Sequence, residues 1–360
     1  MKLHGLILLG ALAMTSRPLV GQSVQGRVLL QASEEPVSGA LILLLDHAGV
    51  EVARAATTPS GGFSIRAPKA GSYHVVVRQI GLHPWKSQAF GLAAAVDFPL
   101  TLRIESSPYV LPPITVAGRR SRCDLALGDE DLIGRLLEAA GTALGIAEES
   151  AELGSYGFAT DTYLRRLSSE LELVESTSTD LLGLSRWPIQ SADPDSLREW
   201  GFVHGRGDQS QGPTYYGPDA RVLFSDWFLD SHCFEVESAD DATVEVVFEP
   251  EDRGDRVDLE GRLVIDRRSL ELRRMAFEYV GLPRWVPRDV AGGEVRLKRL
   301  GAGAWVPTMW YLRAPLPTRS GPTSKITLQG WMETGGRVTA VHTARGLPDS
   351  ALTAELLTAP

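Results

Sequence analysis

The sequence predicts a mostly β protein of two domains: an N-terminal antiparallel β-sandwich, then an α+β unit in which one main helix packs on a curved antiparallel sheet. Three observations carry this. Apolar residues alternate with period two from Ser23 to about Ser106. A single helical stripe follows near residue 130, and period-two runs resume from Val244 to Leu328.

The chain opens "MKLHGLILLGALAMTSRPLVGQ". Lys2, the apolar run Leu6 to Met14 and the small or polar exit Val20-Gly21-Gln22 have the order of a secretory signal peptide, so residues 1–22 are expected to direct export. That run is far shorter than the roughly 20 apolar residues a membrane-spanning helix needs, and a soluble or peripheral mature protein follows. Of the 360 residues, 36 are Gly and 22 are Pro, which is enough turn punctuation for many short strands. The net charge of −9 becomes −11 once Lys2 and Arg17 leave with the signal. Such a surface repels phosphate backbones, so no nucleic-acid partner is expected.

Within 23–106 the first and last strands are the clearest. Val24, Gly26, Val28 and Leu30 alternate with Gln25, Arg27, Leu29 and Gln31, and Val96, Phe98, Leu100, Leu102 and Ile104 with Asp97, Pro99, Thr101 and Arg103. Pro99 lacks the donor a central strand needs, which puts the last strand at a sheet edge. Between them lie "ALILLLD", "VEVARA", "FSIRAP" and "YHVVVRQI", separated by turns at Ser60-Gly61-Gly62, Lys69-Ala70-Gly71 and Gly81. Turns this short leave no room for crossover helices, hence an antiparallel sandwich. Phe63, Ile65, Tyr73, Val75 and Val77 point inward.

The same stretch resembles the carboxypeptidase regulatory-like domain. The likeness rests on Gly26 in the first strand, Pro36 before Gly39-Ala40, Thr58 before the Gly62-Phe63 turn, Gly71 with Tyr73, and Gly81. The resemblance implies a transthyretin-like or immunoglobulin-like fold and a non-catalytic module of exported proteins. The tail "LPPITVAGRR" from Leu111 resembles the link between such a module and the plug of TonB-dependent outer-membrane receptors. Residues 107–125 read as a Pro- and Arg-rich linker.

The second domain, 126–360, opens with a helix that Asp129 or Asp131 can cap, with Leu132, Ile133, Leu136, Leu137, Ala140 and Leu144 on one stripe. Strands are expected around Val244 to Phe248, Val257 to Ile265, Leu270 to Tyr279, Val295 to Leu297, Trp305 to Leu312 and Ile326 to Leu328. The inward phase shifts between Leu272 and Met275, which predicts a bulge at Arg273-Arg274. The hairpin "GRLVIDRRSLELRRMAFEY" is similar to the half-barrels of periplasmic lipoprotein carriers, which implies an apolar groove and an acyl-chain ligand. Most of the seven Trp residues beyond the linker are expected in the core, and Trp85 at the tip of an exposed loop.

The sequence has no His-Glu-x-x-His, Cys-x-x-Cys, Gly-x-Ser-x-Gly or phosphate-binding Gly-x-x-x-x-Gly-Lys. No metal, cofactor or catalytic residue is therefore assigned. The best residual constellation is "SDWFLDSHCF": if extended, it sets Asp226, Asp230 and His232 on one face and Cys233 on the other. With Trp85, those three are the candidate ligand-binding residues. Two Arg-Gly-Asp tripeptides, Arg206 to Asp208 and Arg253 to Asp255, read as turns. Cys123 and Cys233 are the only cysteines, and in an oxidising compartment an even count predicts a disulfide between them.

The expectation is an exported, non-catalytic binding or presentation protein of the periplasm or outer membrane. Its partner would be an envelope protein, a polysaccharide or an acyl chain. Three alternatives stay open: a component of TonB-dependent uptake, carbohydrate binding by the sandwich, and a hydrolase with its site in the second domain.

Overall fold

The computed structural model describes residues 22–105, 129–152, 156–183, 187–205, 212–252, 254–301, 303, 305–319, 325–343 and 346–358. The signal segment, the linker with Cys123, and Arg206 to Asp208 lie outside them.

The first unit contains β1 (Ser23–Leu30), β2 (Leu41–Asp46), β3 (Glu51–Ala56), β4 (Gly62–Arg66), β5 (Gly71–Arg78), β6 (Trp85–Lys86), β7 (Phe90–Leu92) and β8 (Asp97–Ile104). One sheet runs β4-β1-β8, and the other β3-β2-β5-β6 with β7 also on β5. The strand with Pro99 is at an edge, as expected. One pairing departs from the expected all-antiparallel order: β8 lies parallel to β1. The chain reaches β8 from the opposite sheet, so it is free to arrive in either direction.

Val24, Val28, Ile42, Leu44, Phe63, Ile65, Tyr73, Val75 and Val77 fill the space between the sheets. The unbroken apolar run of β2 has a separate cause. Leu41 and Leu43 point away from the sandwich core and, with Val76, join the core of the second unit, so β2 is buried on both faces.

What covers them is α1 (Asp129–Glu152). Ala139, Ala143, Ile146 and Ala147 are buried besides the expected stripe, because α1 has a sheet on each side. Gly145 gives Leu41 room, since a Cβ there would sit 3.0 Å from the Leu41 side chain. A second contact is backbone on backbone. Gly39 and Gly303, with φ of 63° and 87°, press together so closely that a side chain on either would collide with the other turn.

The chain continues through β9 (Tyr156–Leu167), β10 (Leu173–Gly183), α2 (Pro194–Trp200), β11 (Val203–His204), β12 (Thr214–Tyr215), α3 (Ala220–Leu223) and α4 (Asp226–Ser231). Then come β13 (His232–Ala239), β14 (Thr243–Pro250), β15 (Asp258–Asp266), β16 (Leu272–Val280), β17 (Gly292–Arg299), β18 (Trp305–Thr318), β19 (Thr327–Thr343) and α5 (Ser350–Leu357). The large sheet has nine antiparallel strands in the order β10-β9-β19-β18-β17-β16-β15-β14-β13. It is open, not a barrel. Arg273 is the extra residue of a bulge opposite Val264/Ile265, where the sequence phase shifts.

Val246, Leu263, Met275 and Val295 form one row of the face turned to α1, and Phe248 and Phe277 the next. Among the described residues that face has no open groove of the kind expected: α1 lies in the cup of the sheet and the sandwich closes its far side. A pocket remains where Arg78, Gly81, His83, Arg135 and Leu270 meet, of about 30 Å³. It has room for water, not for an acyl chain.

Candidate binding face

The residues singled out from "SDWFLDSHCF" do not converge. Ser225 accepts from the Phe228 N–H at 3.2 Å and starts α4, so the run is helical up to Ser231 instead of extended. Asp226 and Asp230 are exposed on that helix. His232 is buried at the start of β13, stacked 3.7 Å from the Phe228 ring. Its Nδ1 lies 3.1 Å from the Phe228 carbonyl, and its Nε2 lies 3.2 Å from the Leu259 carbonyl and 3.3 Å from Asp258 Oδ1. That is an anchor between helix and sheet. Cys233 points to the opposite face, paired with Glu249. Trp85 is not at a loop tip. It is half-buried in β6 opposite Val77 and packs on the sandwich core.

The concentrated polar chemistry is on the other side of the large sheet. Register places Arg165 of β9, Glu333 of β19 and Arg313 of β18 in one row, and Tyr163, Gly335, Tyr311 and Glu294 in the next. Glu333 and Glu294 are only 5% and 7% exposed, so each needs compensation. Arg313 donates to Glu333 Oε2 through Nε and Nη2 at 2.9 and 2.6 Å, and Arg165 Nη1 is 3.7 Å from Oε1. Arg296 donates to Glu294 at 2.6 Å, with Arg274 at 3.6 Å. One row further, Arg337 pairs with Asp161 at 3.5 Å.

The aromatic groups fit the same lattice. A Cβ at position 335 would collide with Tyr163, so the glycine lets that ring lie on the sheet. The Arg165 guanidinium sits 3.8 Å above the ring. Burial, and then the neighbouring Glu333 carboxylate, push the Tyr163 hydroxyl up to about 12. Burial and Glu294 raise Tyr311 as well. Both phenols are therefore neutral donors at ordinary pH. The result is a fixed platform of guanidinium, carboxylate and phenol groups, half open to solvent.

The sequence analysis missed these residues. "TDTYLRRL" alternates too weakly in hydropathy to reveal a strand, and the strand expected over Trp305 to Leu312 stops short of Arg313; the signal that could have found the face is polar side chains at every second position.

Two acidic sites lie elsewhere in the second unit. Glu260, Glu278 and Asp289 bring carboxylate oxygens within 4.8 Å of one another, and burial followed by the two neighbouring acids raises Glu278. Glu148 of α1 accepts from the Ala220 N–H at 2.9 Å. Burial, reinforced by Asp219, pushes it up to about 7.

Fold and site together define a β-rich protein with a sandwich joined through a helix to a sheet bearing a polar face. Residues 23–105 match the family model of the carboxypeptidase regulatory-like domain. No curated protein matches the chain. Among solved structures, the chain is similar to a Bacteroides uniformis protein provisionally named as carbohydrate binding. The identity is 11%, the match covers 72% of this chain and 96% of that one, and the TM-score is 0.21. It is also similar to a Cyanothece 9R-lipoxygenase at 11% identity, with 94% of this chain and 44% of that chain covered and a TM-score of 0.21. At these TM-scores neither likeness bears on function.

Proposed function

We propose that this chain is an exported, non-catalytic binding protein of the cell envelope, and that the polar face of its large sheet takes a polysaccharide. The observation that carries the reading is the lattice around Glu333. Its arginines are held by carboxylates and so are fixed in advance, while their remaining N–H groups and the phenols can meet vicinal hydroxyl pairs at little entropic cost. The regulatory-like sandwich serves as a cover for α1. Glycan-array screening followed by calorimetry tests the reading. Arg165→Ala and Tyr311→Ala should each weaken the best ligand about tenfold or more. Absence of saturable binding to any envelope polysaccharide would overturn it, as would wild-type affinity in both variants. Release of new reducing ends would make the protein an enzyme.

Export, with loss of residues 1–22, and a Cys123–Cys233 bridge belong to the same proposal. The bridge is supported by the count of two cysteines in a chain read as exported. It would tie the entrance of the second unit to β13 across a loop of about 110 residues, worth at most roughly 4 to 5 kcal/mol in the chain-entropy picture. Intact mass of the exported protein after alkylation, with and without reductant, checks it: two thiols labelled without reductant would remove the bridge.

A further inference from the structure

We propose that β10 is a self-association seam, at which two copies of this chain pair antiparallel and join their large sheets into one. β10 is the outer strand of the sheet, and all eleven of its residues are exposed. Leu173, Val174, Leu181 and Leu182 are 61%, 53%, 54% and 66% exposed, on a strand without Lys, Arg or Pro. From Glu175 to Gly183 its register against β9 is unbroken, and its outer backbone groups have no strand partner among the described residues. Edge strands are ordinarily kept from pairing by lysines, prolines or bulges along their length; β10 carries two acids, Glu175 and Asp180, and its one register shift is at its start, between Leu173 and Glu175.

The occupant is read from the order of side chains. Leu173-Val174-Glu175-Ser176-Thr177 is an apolar pair, an acid and two hydroxyl residues. Ser178-Thr179-Asp180-Leu181-Leu182 is two hydroxyl residues, an acid and an apolar pair. The second half reverses the first about the point between Thr177 and Ser178, and an antiparallel copy set one residue off that mirror keeps the two acids apart. Centred on Ser178, Thr177 faces the partner's Thr179, Ser176 faces the partner's Asp180 and Val174 faces the partner's Leu182. Glu175 faces the partner's Leu181, so no acid faces an acid. The two-fold axis stands perpendicular to the sheet, so both polar faces stay on one side. Their Tyr163 strands are then three strand spacings apart, roughly 14 Å. If the polysaccharide reading also holds, the dimer is bivalent for a repeating polymer. The dimer itself does not depend on that reading.

Sedimentation velocity on the full exported chain tests the seam without any glycan. The wild type should dimerise with concentration. Ser178→Lys sets two ammonium groups against each other across the axis and should raise the dimer dissociation constant at least about tenfold. Ser178→Cys, under a mild oxidant, should give a covalent dimer on a non-reducing gel. Ser64→Cys, exposed on the edge strand β4, should not. A wild type that stays monomeric at every concentration would overturn the proposal, as would an unchanged dimer in Ser178→Lys or equal cross-linking of Ser64→Cys. Unaltered far-ultraviolet circular dichroism separates loss of pairing from loss of fold.

Discussion

At one edge of the large sheet, β13 emerges from α4 with His232 held by carbonyls from both sides, and a bulge at Val236/Ser238 interrupts its outer row. At the other edge, β10 has no buried residue and no interruption after Glu175. One edge is finished by its own chain and the other is not. The difference is one of coverage. α1 and α4 pack against β13, and α3 packs on both helices, while every residue of β10 is exposed. Stability should therefore be concentrated at the β13 edge, and association at the β10 edge.

The largest expected effect is at the covered edge. Phe228 is 0% exposed and meets the rings of Phe202, Trp227, His232, Phe234 and Phe248. Phe228→Ala should cost about 4 kcal/mol of unfolding free energy, through lost burial and the cavity left behind. Urea titration reads this directly. A loss below about 1 kcal/mol would mean that α4 can collapse into the gap and that the β13 edge is not the stable end.

A smaller effect depends on pH. Glu148 joins α1 to α3 on the covered side, and folding lifts it from an ordinary 4.5 to about 7. The neutral acid is the form the fold prefers. Its contribution is therefore complete below about 4.5 and is lost as pH rises through about 7, with a total on the order of 3 kcal/mol. Glu148→Gln keeps an acceptor for the Ala220 N–H and cannot ionise. It should match the wild type in acid and exceed it above neutrality, narrowing the stability difference between the two conditions. Identical pH profiles would place the titration elsewhere.

Legibility in the sequence follows the same division. The sandwich could be read because its turns are local: Gly61, with φ of 74°, and the Thr58 hydroxyl that accepts from the Gly62 N–H at 3.1 Å are both visible as residue types. β2 was seen as a strand but not as a joint, because burial on both faces erases the period that would show which side each leucine takes. α4 was misread because its six residues, capped by Ser225, run without a break into the strand that begins at His232. β10 was invisible for the opposite reason: with neither face buried, no apolar period exists, and its polar stretch resembles a loop. The platform went unread with it, since Tyr163, Glu333 and Arg313 are 150 or more residues apart except for the last pair, and only sheet register brings them together.

The smallest effect on the fold is expected at the open edge, where it is also the most discriminating. Leu182 is 66% exposed, so Leu182→Ser removes almost no buried area from the monomer and should change unfolding free energy by less than about 0.5 kcal/mol. In the self-paired sheet the same side chain faces the partner's Val174, and because the contact occurs twice across the two-fold axis, one substitution alters two sites. The variant should weaken dimerisation severalfold while its urea midpoint, measured at a concentration where the wild type is monomeric, stays where it was. The reverse result, a lowered midpoint with unchanged association, would mean that Leu182 packs within its own chain, and the contrast between the two edges would lose its physical basis.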